Sequence, residues 1–334
     1  MIEILDPGAL NTVQDLGRTG SRRYGVGTAG AMDRVALEAG NRMLGNETSA
    51  AGIEVQVLPF RIRFLKDMAF ALTGGDTGAD LDGLAVSPWW TQTAFAGQVL
   101  TCGGRGSGFR CGARAYVLVA GGLDVPAVLG SRSTQLRGQF GGHLGRALAR
   151  GDVLPCGKLE TAAQSGPGFG AVPAPVALPE NQFLDASEAE VTAMRVLPAA
   201  EFEQFDTVSL HAFWTTQWKI NAQSDRYGYR LAGAMLVRRE SSETRSHGIV
   251  PGVIQVPHSG QPIIQMRDAQ PSGGYPKIGT VIEADLWRLA QARAGSRIRF
   301  LRCSYEEAVA ALQPVENYLS CLGRLSKLYR QMHE

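Results

Sequence analysis

Two apolar segments flanking a polar turn mark the last third of the chain. Gly252-Val253-Ile254-Gln255-Val256-Pro257 and Pro262-Ile263-Ile264-Gln265-Met266-Arg267-Asp268 read as paired strands. The second ends on an acid and opens into the glycine-rich loop Gly273-Gly274-Tyr275-Pro276, a combination that lets backbone and carboxylate approach a ligand together. Alternation or short apolar runs recur over residues 2–5, 53–57, 61–65, 68–72, 99–102, 115–120, 192–197, 278–283 and 296–303, and predict further strands. Helical spacing is rarer. Asp33 is the expected N-cap of a helix ending near Gly45, with Val35, Ala39 and Met43 at four-residue intervals. Short helices are expected over 199–205 and 284–292, and a pair over 305–312 and 316–332. The glycine-rich segment 103–108 lies between two strands and predicts a hairpin turn. Residues 213–218, aromatic and polar, predict an interface or a pocket rim.

Composition sets the class. A length of 334 residues suits two domains of roughly 150 residues each. The 41 glycines favour a mainly β protein with small helices, an α+β architecture in which tight turns are frequent. Residues 157–182 are rich in Ala, Gly and Pro and lack any period. They are the expected linker or crossover between a first subdomain (1–156) and a second (183–303), with a helical tail at 304–334. The net charge of +2 gives no reason to expect nucleic acid or an anionic membrane as partner. The first residues lack the pattern of a signal peptide, and no apolar run approaches the roughly 18 residues of a membrane span, so a cytoplasmic protein is expected. Five cysteines without a C-x-x-C pair predict neither a disulfide framework nor a zinc site, and no metal is expected.

Chemistry concentrates in a few polar clusters. Asn221 to Leu231 contains Ser224, Asp225, Arg226 and Arg230; the arginines are fixed cations suited to carboxylate or phosphate. A solvated loop is the competing reading of that cluster, as an ordinary hairpin is of the stretch ending at Asp268. Arg18, Arg22 and Arg23 form a local basic cluster, either an anion site or surface arginines. No Walker loop occurs.

Several segments taken together carry a resemblance. They are Thr12-Val13-Gln14-Asp15-Leu16-Gly17-Arg18, Gly30-Ala31-Met32-Asp33, Gly121-Gly122 with Gly130-Ser131-Arg132-Ser133-Thr134, Gly141-Gly142 with Gly145-Arg146, Ser224-Asp225-Arg226 with Gly228-Tyr229-Arg230-Leu231, Ile254-Gln255-Val256-Pro257, and Gly273-Gly274-Tyr275-Pro276. In this order, over roughly residues 3–302, they resemble the allophanate hydrolase subunit 2 family. It is also called the biotin-dependent carboxyltransferase family, and it includes the C-type subunit of ATP-dependent 5-oxoprolinase. Departures fall at Gly27, where the family usually has proline, at His247, where it has Glu, and in Asp268-Ala269-Gln270-Pro271-Ser272, where it has Asp-Arg-Gln-Thr-Thr. The tail beyond residue 304 is expected to be a lineage-specific addition.

The resemblance implies two related cyclophilin-like β-barrel subdomains. It implies a hetero-oligomeric enzyme in which this chain acts with a B-type and an A-type subunit to open 5-oxoproline to glutamate, with ATP used by the complex. Transfer of phosphate to the amide oxygen would activate the lactam. On that reading Arg226 and Arg230 meet anionic groups, and Asp268 orients a ring N–H or moves a proton. Ser224, Asp225, Gln255, Gln270, Gly273, Gly274 and Tyr275 bind the substrate. One alternative is the carboxyltransferase part of a biotin-dependent urea or amide carboxylase. The chain carries no Met-Lys-Met carrier segment, so biotin would then sit on another polypeptide. A further alternative is a non-enzymatic regulator acting on a histidine kinase inhibitor.

Overall fold

The computed structural model describes residues 1–104, 108–158, 168–174, 191–240 and 245–332. It divides into two compact units: Met1–Thr19 with Ala29–Ala174 and Glu316–Glu334, and Gly20–Thr28 with Pro175–Val315. Strands predominate and helices are few, as the composition implies. No described helix is long and apolar enough to cross a membrane.

The first unit holds strands β1 (Ile2–Asp6), β2 (Thr12–Gln14), β3 (Gly52–Val55), β4 (Phe60–Phe64), β5 (Met68–Asp76), β6 (Asp80–Leu81), β7 (Leu84–Ala85), β8 (Trp90–Ala94), β9 (Val99–Cys102), β10 (Cys111–Val119) and β11 (Val153–Leu154). They form two sheets, ordered β11-β1-β4-β9-β6-β7 and β2-β3-β10-β5-β8. Strand β4, Phe-Arg-Ile-Arg-Phe, shows the cause: Phe60, Ile62 and Phe64 are buried while Arg61 and Arg63 turn outward. One core takes Ile4, Ile62 and Leu100 from the first sheet and Val13, Ile53, Phe70 and Val117 from the second. Strands β5 and β10 are central and read as near-continuous apolar runs because both their faces are covered.

Helix α1 (Arg34–Leu44) packs on β5 and β10. Asp33 caps it, its carboxylate accepting from the Ala36 N–H at 2.9 Å, and Gly45 ends it in the left-handed region at φ 79°. Gly40 is required inside this helix by close approach to the sheet: a Cβ there would lie 2.5 Å from Leu118 Cδ1.

The described strands on either side of 103–108 do not pair with each other as the expected hairpin requires. Strand β9 pairs with β4 and β6, whereas β10 pairs with β3 and β5, so the chain changes sheets there. Residues 105–107 lie outside the described residues, as do 159–167 and 175–190, most of the expected linker. Within that stretch Phe169 and Gly170 run antiparallel beside β8, through Thr91 N–H to Phe169 O (2.8 Å) and a bridge between Trp90 and Gly170.

The second unit contains β12 (Val191–Pro198), helix α2 (Thr207–Thr215), β13 (Trp218–Ile220), β14 (Gly228–Ala232), β15 (His247–Gly248), β16 (Val253–Gln255), β17 (Ile263–Gln265), β18 (Ser272–Gly273), β19 (Lys277–Val281), α3 (Glu283–Ala290), β20 (Arg297–Arg302) and α4 (Tyr305–Ala310). Seven strands close a barrel in the order β12-β19-β16-β17-β14-β13-β20, sealed by parallel pairing of β12 with β20. The expected strand pair is present, with Ile254 opposite Ile264 and Gln255 opposite Ile263.

Residues 213–218 do not form a pocket rim. Phe213 and Trp218 are fully buried and pack with Phe300 at ring separations of 4.8 and 6.3 Å. Trp218 Nε1–H donates to Phe213 O at 3.1 Å, so the one polar atom of the indole is satisfied inside the core.

The last helix, α5 (Leu312–Gln331), belongs to the first unit from Glu316 onward. There Arg330 Nη1 donates to Met43 O (2.6 Å) and Arg42 O (3.3 Å), capping the carbonyl end of α1.

Candidate functional site

The polar motifs of the second unit gather where β14, β17 and the loop after β17 run side by side. Strand pairing of β14 with β17 continues past the sheet, through Met266 N–H to Tyr227 O and Asp268 N–H to Arg226 O, each 2.9 Å. That extension places the Arg226 guanidinium against the Asp268 carboxylate. Nε–Oδ2 and Nη2–Oδ1 are both 2.9 Å, and the side chains are only 4% and 2% exposed. The two residues expected to meet a substrate are therefore each other's partners, in a buried, bidentate pair.

Asp225 organises the turn before them. Its Oδ1 accepts from the N–H groups of Tyr227 (2.8 Å) and Gly228 (3.2 Å). Ser224 Oγ accepts from the Arg230 N–H at 3.0 Å. Both side chains hold the turn in shape. Arg230 lies on the exposed face of β14 and presents its guanidinium outward.

A second group forms around the loop through Gly273. Strands β15 and β18 pair as a separate two-stranded sheet, His247 opposite Gly273. Gln255 is buried, and its Nε2 donates to Tyr275 O at 3.4 Å. A Cβ on Gly273 would lie 2.6 Å from that Nε2, so a larger residue there would displace the Gln255 amide. Tyr275 and Gln270 are exposed; Gly274 is half-buried.

Sequence reasoning missed the charged residues in this second group. Lys277 is 3% exposed; its Nζ donates to Gly273 O (2.9 Å) and lies 2.6 Å from His247 Nε2. The same Nε2 lies 2.9 Å from Glu201 Oε1. Burial pushes the Lys277 ammonium below its ordinary range, and the charge of Glu201 partly offsets this. Lys277 directly follows the Gly-Gly-Tyr-Pro motif, which was the available signal. Nothing in the sequence shows that the two-residue strands β15 and β18 pair and bring His247 to it.

The N-terminal motifs make two separate networks in the first unit. Asp15 accepts from the N–H of Gly17 (2.7 Å), from Ser131 Oγ (2.7 Å), from Ser133 Oγ and from the Arg132 N–H. Arg18 is buried, donates to Ser133 O (2.6 Å) and lies over the Phe140 ring. Of the basic cluster Arg18, Arg22 and Arg23, Arg18 is thus buried, whereas Arg22 and Arg23 are exposed. The Gly30-to-Asp33 motif rests on buried Glu54 and Tyr116. Glu54 Oε2 accepts from the Met32 N–H (2.8 Å) and Tyr116 OH (2.7 Å), while the Asp33 N–H donates to the phenol oxygen (2.8 Å). An open cleft of about 370 Å³ in the same unit is lined by Asp76, Asp80, Ser87 and Arg110.

The chain, a two-unit β protein whose second unit closes a seven-strand barrel, matches the family described as carboxyltransferase domain, subdomain A and B, over residues 24–302, and belongs to that family. It is 42% identical to the C-type subunit of 5-oxoprolinase from Escherichia coli (strain K12), over 97% of this chain and 98% of that protein. It is 40% identical to the corresponding 5-oxoprolinase chain of Haemophilus influenzae, over 97% and 98%. Among solved structures, the K. lactis urea amidolyase superposes with a TM-score of 0.81 at 29% identity, over 95% of this chain and 20% of that one. Matches that extend over 97% of the chain include most of the tail beyond residue 304, so the tail is not the lineage-specific addition expected from the motifs.

Proposed function

We propose that the chain is the C-type component of an ATP-dependent 5-oxoprolinase, working in the cytoplasm with a B-type and an A-type subunit to convert 5-oxoproline to glutamate. The observation that carries this reading is similarity at 42% identity to such a component, over 97% of this chain and 98% of the other. ATP enters as a substrate of the whole complex. Arg230, exposed on β14, is the side chain suited to an anionic group, whether the substrate carboxylate or a phosphate. The buried Arg226–Asp268 pair fixes the loop that leads to Gln270, Gly273, Gly274 and Tyr275, where the lactam would be held. Co-purification with the two partner subunits, followed by measurement of glutamate release from 5-oxoproline with and without ATP, tests the reading. Absence of ATP-dependent release overturns it.

A carboxyltransferase acting on a urea or another amide is the second reading, favoured by the superposition on urea amidolyase. The chain spans about a fifth of that protein, so a biotin carrier and a carboxylase would be supplied from outside this sequence. Bicarbonate- and biotin-dependent ATP turnover on urea, in place of glutamate release, would select it.

A further inference from the structure

Nε2 of His247 faces two groups with opposite demands. Glu201, 2.9 Å away, is a carboxylate that only accepts; Lys277, 2.6 Å away, only donates when it is an ammonium. One nitrogen cannot donate to the first and accept from the second at once. With Lys277 charged, Nε2 accepts its proton and the ring hydrogen lies on Nδ1. With Lys277 neutral, Nε2–H donates to Glu201 and Nδ1 presents a lone pair. The neutral amine keeps an N–H for Gly273 O and turns its lone pair toward Nε2–H, so the 2.6 Å contact sets no hydrogen against another. Nδ1 has no hydrogen-bond partner among the described residues, and the His247 side chain is 49% exposed, so this nitrogen is the end of the relay open to a ligand.

We propose that His247 is the proton-transfer residue of this site and that Lys277 is a positioning residue that selects which ring nitrogen carries the proton. The substrate in this proposal rests on the 5-oxoprolinase reading above. In the Nε2–H state, Nδ1 takes the amide proton of the lactam. The amide N–H bond breaks, an Nδ1–H bond forms, and the electron pair stays with the amide and delocalises onto its oxygen. That oxygen attacks the γ-phosphorus of ATP; the new O–P bond forms as the bond to ADP breaks. The charged groups in contact with the relay are Glu201, the N-cap of the 3₁₀ turn Phe202–Gln204, and Lys277, from β19; β18 supplies only the carbonyl of Gly273. Burial of Lys277 works in the same direction, favouring the neutral amine and hence the lone pair on Nδ1.

The test reads the tautomer directly and does not depend on turnover. In chain labelled with ¹⁵N-histidine, two-bond ¹H–¹⁵N spectra are recorded across neutral and alkaline pH. Wild-type His247 is expected to pass from Nδ1–H to Nε2–H as Lys277 loses its proton. K277M is expected to show Nε2–H wherever the ring is neutral, and K277R, a fixed cation, Nδ1–H throughout. In the assembled complex H247Q is expected to lower kcat by about 100-fold or more with KM little changed. Identical tautomers in wild type, K277M and K277R, or wild-type kcat in H247Q, would overturn the relay. A wild-type complex that releases no glutamate would overturn the 5-oxoprolinase reading while the tautomer result stood on its own.

Discussion

Arg226 and Asp268 are 42 residues apart in sequence and meet as a bidentate pair, both contacts 2.9 Å and both side chains almost fully buried. Taking one partner away breaks a buried, bidentate ion pair, which typically costs about 3–5 kcal/mol, far more than the pair contributes net. Asp268→Ala and Arg226→Ala are each expected to lower the unfolding free energy by an amount in that range. The double variant R226M/D268L is expected to recover most of the loss, since well-packed apolar side chains can replace a buried pair at little cost. A double-mutant cycle from urea unfolding measures this. Single variants with unchanged midpoints would show that the pair does not hold the loop.

Gly45 and Arg330 make a second such relationship, within the first unit. Gly45 has φ 79°, and a Cβ on it would lie 2.9 Å from the Arg330 guanidinium carbon. Arg330 in turn donates to the carbonyls of Met43 and Arg42. Arg330→Ala removes these bonds and the cation at the C-terminus of α1, for an expected loss of about 1–2 kcal/mol. Gly45→Ala adds left-handed strain and pushes the same guanidinium away, with an expected loss of similar size, about 1–2 kcal/mol. Thermal or urea unfolding of the two single variants and the double distinguishes them. If R330A costs nothing, the tail does not stabilise α1.

The fold was largely legible because local signals agreed with the final packing. Phe-Arg-Ile-Arg-Phe alternates as β4 does, and Asp33 and Gly45 bracket α1 at the expected positions. The signals failed where a decision depends on distant partners. Val99–Cys102 and Cys111–Val119 look like two arms of one hairpin, yet each finds its neighbours in a different sheet. The aromatic run 213–218 carries no mark that distinguishes a barrel interior from a pocket rim, and only Phe300, far along the chain, decides it. The site was partly legible for the same reason. Ser224 to Arg230 and Asp268 to Tyr275 stood out as motifs and do run beside each other. That Arg226 and Asp268 neutralise one another, and that Lys277 meets His247, follows from strand register, which residue types do not encode.

Thiol reactivity separates buried from exposed cysteines. Burial pushes the Cys102 thiol up to about 12 and the Cys303 thiol up to about 11, the latter helped by the neighbouring Glu307 carboxylate. Cys111 and Cys321 are exposed. At about pH 8 a disulfide-exchange reagent is expected to modify Cys111 and Cys321 quickly and to reach Cys102 and Cys303 only after denaturant is added, because the thiolate is the reactive form. Mass spectrometry of the modified peptides identifies the sites. Rapid native modification of Cys102 would contradict its burial in the core of the first unit.

Tyr116 links ionisation to stability at high pH. Its phenol is buried against the Glu54 carboxylate, and burial together with that negative charge holds it well above its ordinary range. The unfolded chain ionises this group near pH 10, whereas the folded chain keeps the proton. Stability from Tyr116 is therefore fully present below about pH 10 and is lost as pH rises from there toward the folded value. The urea midpoint is expected to fall above that pH in wild type, and less steeply in Tyr116→Phe. The same substitution removes a donor from Glu54 and the acceptor of the Asp33 N–H, so at neutral pH it is expected to cost about 1–3 kcal/mol. Unfolding of both proteins at about pH 7 and about pH 11 separates the two effects. Equal losses across that interval in wild type and Y116F would place the alkaline sensitivity elsewhere, for instance at Tyr318, which burial raises to about 12.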